Sequence, residues 1–251
     1  MKQKEKALIL SQEPLASDVY SMWIKTDNVA ANAKPGQFIA VYSKDGSRIL
    51  PRPISICEGG EGQIRIVYRV VGKGTDEFSR LQADDYVEIM GPLGNGYTLQ
   101  DKKAILIAGG IGIPPMLELA KQLKCEKQVV LGYRDELFLN KEFEPYANVT
   151  IATENGSYGT KGNVLDAIRE NAITGDVIYA CGPTPMLRAI KQYALDNDIE
   201  AYVSLEEKMA CGIGACLACV CKSKEVDEHT HVHNKRICKD GPVFNVKEVE
   251  L

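Results

Sequence analysis

The chain has 251 residues, of which 45% are apolar and 25% charged, and its net charge is −4. This length allows two compact domains and a small additional module. The weakly negative charge argues against a nucleic-acid partner, and no stretch reaches the apolar length of a membrane helix. The first residues contain no cleavable apolar segment, so we expect a cytoplasmic protein without membrane contact.

The first 99 residues are typical of an all-β domain. They contain short segments rich in β-branched and aromatic residues, separated by glycine and proline turns. Their number and spacing predict a small antiparallel barrel, interrupted by one helix near Gly74–Leu81. The predicted strands are Ala7–Ser11, Val19–Lys25, Gln37–Tyr42, Gln63–Val71 and Tyr86–Met90.

Residues 100–205 have a different pattern, in which strands alternate with helices. This alternation predicts a doubly wound parallel sheet. The predicted strands are Ala104–Ala108, Val129–Tyr133, Val149–Thr153, Asp176–Ala180 and Ala201–Leu205. The helices are expected near Pro115–Leu123, over Gly162–Asn171 and after Pro183, where Thr184 would be the N-cap.

Residues 206–251 form a cysteine-rich module without a regular pattern. Four of its cysteines follow the C-x4-C-x2-C spacing with a distant fourth member, which is the plant-type arrangement for a [2Fe–2S] cluster. They are Cys211, Cys216, Cys219 and Cys238. Gly212 and Gly214 permit positive φ where such a loop curls and let N–H groups point at sulfur.

A zinc site is an alternative for these cysteines, because Cys216 and Cys219 form half of a zinc ribbon and histidines follow at positions 229, 231 and 233. Against zinc, Cys238 has no neighbouring cysteine to complete a second pair. A disulfide framework is not expected in a chain of this length without a secretion signal. Cys221 is interpreted as a thiol that binds no metal.

Two glycine loops follow strands of the predicted parallel sheet. The first contains Gly109, Gly110 and Gly112 and opens a helix, a placement where N–H groups face phosphate or ribose. The second is Cys181-Gly182-Pro183, at the sheet edge where ligands bind, so Cys181 can pack against a nicotinamide. The alternatives are a tight strand–helix turn for the first loop and a buried small residue for Cys181.

Three short motifs in the barrel region can contact a nucleotide cofactor. Arginines on a barrel strand can bind a pyrophosphate with two parallel hydrogen bonds, a serine hydroxyl can reach a ring nitrogen, and a Gly-Thr pair at a helix start offers backbone donors. Each is weak alone, since an isolated arginine is usually solvated and Tyr68 is usually core. The motifs are Arg52-Pro53-Ile54-Ser55, Val67-Tyr68-Arg69 and Gly74-Thr75.

In chain order, these motifs, together with Gly91–Gly96, resemble the ferredoxin-reductase superfamily. More narrowly, they resemble the electron-transfer subunits of class B dihydroorotate dehydrogenases, over nearly the whole chain. The resemblance implies an FAD-binding barrel (1–99), an NAD-binding domain (100–205) and a [2Fe–2S] domain (206–251). It further implies that the three barrel motifs contact FAD and that the four cysteines hold the cluster. Ile54 is a departure, because the superfamily usually has a flavin-stacking tyrosine there.

The implied function is electron transfer between NAD and a partner protein. NAD exchanges two electrons as hydride, a [2Fe–2S] cluster takes one, and flavin can do both. The resemblance implies an FMN-containing catalytic subunit that oxidises dihydroorotate, in a heterotetramer with two copies of each chain. The alternatives are a reductase of another complex, such as an NAD(P)H–ferredoxin oxidoreductase, and a zinc-bearing interaction module. Arg134 favours NADP, whereas Asp135 and Glu136 oppose it.

Overall fold

The computed structural model describes residues 3–226 and 231–251, and its N-terminal part is the predicted antiparallel barrel. Six strands close in the order β1-β2-β5-β4-β3-β6. They are β1 (Gln3–Pro14), β2 (Val19–Lys25), β3 (Phe38–Tyr42), β4 (Arg52–Gly60), β5 (Gln63–Arg69) and β6 (Tyr86–Leu93). The barrel also contains two helices, α1 (Asp27–Asn32) and α2 (Lys73–Ser79).

Strand β4 and helix α1 were not predicted. Strand β4 contains Pro53 and ends in two glycines, residue types that normally mark turns. The strand forms because its neighbours supply its partners: Ile54 pairs with Ile39 on one side and Ile56 with Ile66 on the other. Tertiary pairing therefore outweighs the local signal.

The barrel interior is filled by alternate side chains of its strands. On the β2–β5 pair, Met22 lies opposite Ile66 and Ile24 opposite Ile64, and all four are completely buried. Since side chains of a strand alternate between its two faces, this register places every second residue in the core.

The second part of the chain is the predicted doubly wound sheet. The parallel strands have the order β10-β9-β8-β7-β11-β12. They are β7 (Ala104–Gly109), β8 (Lys127–Tyr133), β9 (Asn148–Thr153), β10 (Thr160–Lys161), β11 (Val177–Cys181) and β12 (Glu200–Ser204). From β7 the chain adds strands first on one side of the sheet and then, from β11, on the other. Such a switch point is where ligands bind in open α/β sheets.

Helices cover the faces of this sheet. They are α3 (Pro114–Gln122), α4 (Asn140–Phe143), α5 (Val164–Glu170) and α6 (Thr184–Asp196). The prediction that Thr184 caps α6 is wrong: Pro183 occupies the cap position, and no side chain caps the helix. Thr184 itself lies in the first turn. Among the described residues, no helix is long and apolar enough to cross a membrane.

The C-terminal segment contains three short strands: β13 (Val220–Lys222), β14 (Asn234–Arg236) and β15 (Val243–Asn245). Strands β13 and β14 pair with each other, whereas β15 adds a seventh, antiparallel strand beside β12. Three residues are too few to show a hydrophobic period, so these strands were not predicted.

The C-terminal segment also contacts the barrel. The backbone N–H of Asn95, in the loop after β6, donates to the carbonyl of Gly241 at 2.6 Å. The Asn95 side-chain amide donates to the carbonyls of Lys239 and Asp240 at 3.1 and 3.0 Å. The cysteine-rich module therefore lies against both the barrel and the sheet.

A buried ionic network joins the barrel to the helices of the sheet. Arg65 on β5 pairs with Glu58 of β4 at 2.9 Å and with Glu142 of α4 at 2.6 Å. Lys121 of α3 reaches the other oxygen of Glu58. Because buried charges need partners, this network favours one orientation of the two parts.

Candidate cofactor sites

A cleft of about 1190 Å³ lies between the barrel and the sheet. This volume exceeds the roughly 300–1,000 Å³ of pockets for drug-sized ligands, so a dinucleotide fits. The cleft brings together fourteen of the fifteen residues that the sequence predicted for cofactor binding. They are Arg52, Pro53, Ile54, Ser55, Val67, Tyr68, Arg69, Thr75, Gly109, Gly110, Gly112, Cys181, Gly182 and Pro183.

The remaining predicted residue, Gly74, lies behind Arg52. A β-carbon at Gly74 would lie 2.6 Å from the Arg52 guanidinium carbon, so only glycine allows this arginine its position. The Arg52 guanidinium also donates to the carbonyl of Leu50. The sequence motif around Gly74 therefore supports the placement of Arg52 at the edge of the cleft.

Thr75 was predicted to offer a backbone donor to the cofactor, and its side chain makes hydrogen bonds within its own loop. Its hydroxyl donates to the carbonyl of Gly72 and accepts from the N–H groups of Val71 and Gly72, at 3.0–3.2 Å. These bonds organise the turn between β5 and α2. The side chain of Thr75 thus shapes the cleft wall from inside the loop.

The wall of the cleft formed by β4 and β5 has apolar and charged parts. Tyr68 is buried, its hydroxyl donates to Gln12 at 2.9 Å, and burial raises the pKa of this phenol. Arg69 is partly exposed and pairs with Asp18 at 3.0 Å. Ile54, which replaces the expected tyrosine, is buried in the wall. Of the cleft-lining residues, the aromatic ones are Phe38 and Tyr68.

The two glycine loops of the sheet touch each other across the switch point. A β-carbon at Gly112 would lie 2.6 Å from the backbone nitrogen of Gly182. Gly110 has a φ of +53°, and a β-carbon there would meet only the Arg69 guanidinium, at 3.9 Å. Gly112 is therefore needed for loop packing, whereas the Gly110 backbone faces the open cleft.

Cys181 lies at the inner end of the cleft and is buried. Burial raises the pKa of its thiol to about 12, although a hydrogen bond with Ser204 opposes this shift. The neighbouring Tyr97 hydroxyl donates to the carbonyl of Ala180 at 2.9 Å, and burial also raises the pKa of this phenol. Burial thus favours the neutral forms of Cys181 and Tyr97, whereas the charge of Glu206, which also lines the cleft, acts on the Cys181 thiol.

Sequence reasoning missed two segments of the lining, 47–51 and 204–209, as well as Phe38, Val71, Ile111 and Pro242. The first segment is a loop with no distinguishing motif. The second follows the carboxyl end of β12, and the general rule that ligands bind at such ends was a usable signal.

The four predicted cluster cysteines form two pairs. The sulfurs of Cys211 and Cys216 are 3.3 Å apart, and the N–H of Cys216 points at the Cys211 sulfur at 3.4 Å. In the second pair, the N–H of Cys238 points at the Cys219 sulfur at 3.4 Å. The N–H of Gly214, in the first loop, points at the Cys238 sulfur and so links the pairs.

This arrangement fits a [2Fe–2S] cluster, in which each of two irons takes two thiolates. Burial disfavours a Cys211 thiolate, but N–H groups of Cys216, Ile213 and Ala215 outweigh it and lower the Cys211 pKa to about 6. Gly212 and Gly214 have φ of +69° and +84°, as predicted.

The zinc alternative has little support in the described part of the chain. There, no three His, Cys, Asp or Glu side chains meet at one point as ligands of a single ion would. His229 lies outside the described residues. His233 is exposed, and its Nδ1 lies 3.0 Å from the carbonyl of Lys224.

The cleft and the cysteines adjoin. Met209 lines the cleft two residues before Cys211, and Pro242 lines it four residues after Cys238. A β-carbon on Gly212 would contact Leu93 of the barrel at 3.5 Å. A cofactor in the cleft therefore lies beside the cysteine module.

Comparisons with known proteins agree with this organisation. Residues 206–250 match the iron–sulfur cluster binding domain of dihydroorotate dehydrogenase B, and residues 106–192 match the oxidoreductase NAD-binding domain. The structure of an NADH-dependent reduced ferredoxin-NADP oxidoreductase aligns with a TM-score of 0.88 and 30% identity. It covers 100% of this chain and 91% of that chain.

A flavohemoglobin from Malassezia yamatoensis shares the fold of the first two parts. The TM-score is 0.66 at 21% identity, over 78% of this chain and 57% of that chain. Barrel, sheet and cysteine module together define the class: a ferredoxin-reductase-type oxidoreductase with an added iron–sulfur domain.

Curated relatives define the family. The dihydroorotate dehydrogenase B (NAD(+)) electron transfer subunit of Caldanaerobacter subterraneus subsp. tengcongensis is 41% identical, over 99% of both chains. The Fusobacterium nucleatum subsp. nucleatum subunit is 42% identical, over 94% of this chain and 95% of that one. The chain belongs to the family of electron transfer subunits of dihydroorotate dehydrogenase B. The predicted cofactors, FAD, a [2Fe–2S] cluster and NAD, are therefore those of its family and fold.

Proposed function

We propose that this chain carries electrons between NAD⁺ and the FMN of a dihydroorotate-oxidising catalytic subunit, through FAD and a [2Fe–2S] cluster. The partners would assemble as a cytoplasmic heterotetramer with two copies of each chain. The observation that carries the proposal is one dinucleotide-sized cleft that is lined by the barrel motifs and the glycine loops and that adjoins the cysteine module. Eight free cysteines suit a reducing compartment.

The three parts of the chain divide the cofactors. In this proposal, the barrel (1–99) holds FAD, residues 100–205 bind NAD and residues 206–251 hold the cluster. A bound flavin supplies the chemistry that links two-electron exchange with NAD to one-electron exchange with a cluster. The cleft is lined by barrel residues and by the glycine loops and adjoins the cysteine module, which supports this division.

In the FAD site, Arg52 supplies a guanidinium at the cleft edge for the pyrophosphate. Ser55 offers a hydroxyl, and the wall around Ile54 and Tyr68 is apolar. In the NAD site, the backbone of Gly110 faces the cleft, and the buried Cys181 would pack against the nicotinamide. Burial favours the neutral thiol of Cys181, which suits a packing contact.

The cluster site consists of Cys211, Cys216, Cys219 and Cys238. The first two thiolates would hold one iron and the last two the other, which the contacts within each pair support. Backbone N–H groups directed at these sulfurs stabilise negative charge on the ligands.

Dihydroorotate oxidation is assigned to the partner subunit, since the three proposed sites occupy all three parts of the chain. The purified chain should oxidise NADH with an artificial acceptor but should not reduce NAD⁺ with dihydroorotate. Adding an FMN-containing catalytic subunit should restore the second reaction. Dihydroorotate turnover by the chain alone, with no partner found by mass spectrometry, would refute this division.

A second candidate is an NAD(P)H–ferredoxin oxidoreductase subunit, which the 30% identity to the ferredoxin-NADP oxidoreductase structure favours. The two candidates differ in the donor that reduces NAD⁺. Reduction of NAD⁺ by reduced ferredoxin, without a catalytic subunit, would support the second candidate. Reduction of NAD⁺ by dihydroorotate, with that subunit present, would support the first.

We further propose a preference for NAD over NADP. Arg134, Asp135 and Glu136 follow β8 and are exposed. If the 2′-phosphate of NADP bound there, the two carboxylates would repel it more than the one guanidinium attracts it. The ratio of kcat/KM for NADH to kcat/KM for NADPH measures this preference, and equal kcat/KM values for the two nucleotides would contradict it.

A further inference from the structure

A buried arginine connects the two segments that carry the cysteines. Arg236 on β14 is 5% exposed. Its Nη1 donates to the carbonyl of Gly214 at 3.3 Å, inside the loop between Cys211 and Cys216. Its Nε donates to Asp240 at 3.2 Å, so the guanidinium reaches from the first cysteine segment to the second.

The backbone of Arg236 shapes the turn around Cys238. Its carbonyl accepts from the N–H groups of Lys239 and Asp240 at 3.0 and 2.7 Å. Its own N–H donates to the Asp240 carboxylate at 2.7 Å. Cys238 is therefore enclosed in a turn whose first and last residues are held together.

The burial of this charge has a physical consequence. A buried guanidinium is costly unless it is paired and hydrogen-bonded. Asp240 supplies the pairing charge, and the Gly214 carbonyl takes a further donor. Asp240 is itself tied to the barrel, because its carbonyl accepts from the side chain of Asn95. Contacts with both segments therefore offset part of the cost of burying Arg236.

We propose that Arg236 is a positioning residue for the [2Fe–2S] site, which holds the Cys211–Cys219 loop and the Cys238 turn at the separation that four thiolates require. The inference rests on the four-cysteine ligand set proposed above. Arg236 does not bind iron; it acts through the backbone that carries the ligands, as groups outside the ligand shell do in other metal sites.

The test uses the full-length protein with FAD and cluster, and three variants. Arg236→Gln removes the guanidinium, and Asp240→Asn removes the charge of the carboxylate that pairs with it. Lys239→Gln is the control, since it removes one positive charge from an exposed side chain in the same turn, next to Cys238. The stem of Lys239 lies beside Gly214, and glutamine keeps its first carbons, so this packing is retained. Iron release to a chelator and the EPR spectrum of the reduced protein are measured, with FAD content as the check on folding.

Arg236→Gln should release iron about ten- to a hundredfold faster than the parent, the range found when groups outside a ligand shell are removed. Its EPR line shape should also change. Asp240→Asn should shift both quantities in the same direction, and Lys239→Gln should match the parent. Release rates and spectra of Arg236→Gln and Asp240→Asn equal to those of Lys239→Gln would overturn the proposal.

If Arg236→Gln is recovered without FAD, the test depends on Asp240→Asn alone. Iron release from Asp240→Asn at the rate of Lys239→Gln overturns the proposal, and faster release supports it. Cys238→Ser, tested in parallel, separates this inference from the ligand set. A full cluster in Cys238→Ser overturns the ligand set. Loss of the cluster there, with control-like release in the Arg236 and Asp240 variants, overturns only the positioning role.

Discussion

At the residue scale, two nearby cysteines have different surroundings. The Cys216 sulfur contacts Cys211, whereas Cys221 lies on β13, where burial raises the pKa of its thiol to about 11. Cys216→Ser should therefore lose the cluster and keep FAD, whereas Cys221→Ser should keep both. Iron and acid-labile sulfide per chain measure the outcome. Full iron and sulfide in Cys216→Ser would contradict the assignment.

Arg52 offers a second test at this scale. Hydrogen bonds that involve a charged group contribute roughly 1.5–3 kcal/mol, so its loss should weaken FAD binding by more than about tenfold. Arg52→Ala should therefore purify folded but largely without flavin. Arg80→Ala is the control, because the Arg80 side chain is exposed and pairs only with Asp76 of its own helix among the described contacts. Equal flavin content in both variants would make Arg52 a surface charge.

At the element scale, two glycines of the first glycine loop have different roles: Gly110 faces the cleft, whereas Gly112 packs against the second loop. Gly110→Val strains a residue with φ of +53° and fills the space before the cleft. It should slow the reduction of FAD by NADH, measured by stopped-flow bleaching, and leave FAD and cluster content unchanged. Gly112→Val should instead reduce the yield of folded protein, since its side chain would overlap the second loop. Normal NADH reduction in Gly110→Val would make the loop a structural turn.

The ionic network between barrel and helices gives a prediction for stability. Arg65→Met leaves Glu58 and Glu142 with fewer partners, and removal of one member of a buried ion pair costs about 3–5 kcal/mol. Glu142→Gln should cost less, because the Glu142 carboxylate is partly exposed. Urea unfolding can be followed by the fluorescence of Trp23, whose ring centroid lies 5.8 Å from the Arg65 guanidinium. Free energies of unfolding equal to that of the parent in both variants would show that the network is not stabilising.

At the scale of the whole molecule, the cleft lies on one side of the cysteine module, and apolar side chains are exposed on its loop. Ile213 is 44% exposed and Leu217 is 52% exposed. Because electron transfer favours a short path between cofactors, we place the catalytic subunit on this surface.

Ile213→Asp and Leu217→Asp should therefore weaken the complex with the catalytic subunit, because a carboxylate is costly to bury in an interface. NADH oxidation with an artificial acceptor should be unchanged. Leu195→Asp is the control, since Leu195 is similarly exposed, at 43%, on α6. Sedimentation or titration calorimetry with the catalytic subunit measures the affinities. Equal affinity in all three variants would place the partner elsewhere.

Much of this organisation was readable from local patterns. The cysteine spacing indicated a cluster, because four thiolates in a curled loop need those intervals and small residues between them. The alternation of strands and helices predicted the parallel sheet, and the glycine loops marked its switch point. These signals are local: each depends on residues within one turn, strand or loop.

Other features depended on contacts between distant parts of the chain. Strand β4 has weak local signals and forms because β3 and β5 pair with it. Strand β15 has only three residues and joins the sheet because β12 offers an open edge.

By itself, the sequence determined the order of barrel, parallel sheet and cysteine module and the class of each cofactor, since these follow from short-range spacing and residue chemistry. The residues assigned to each site stay predictions. Only the tertiary structure decided that the cleft adjoins the cysteines, that Arg65 joins barrel to helices and that Arg236 connects the two cysteine segments. Each of these pairs residues far apart in the chain. Such pairings depend on packing and charge burial in the folded molecule, for which no periodicity in the sequence exists.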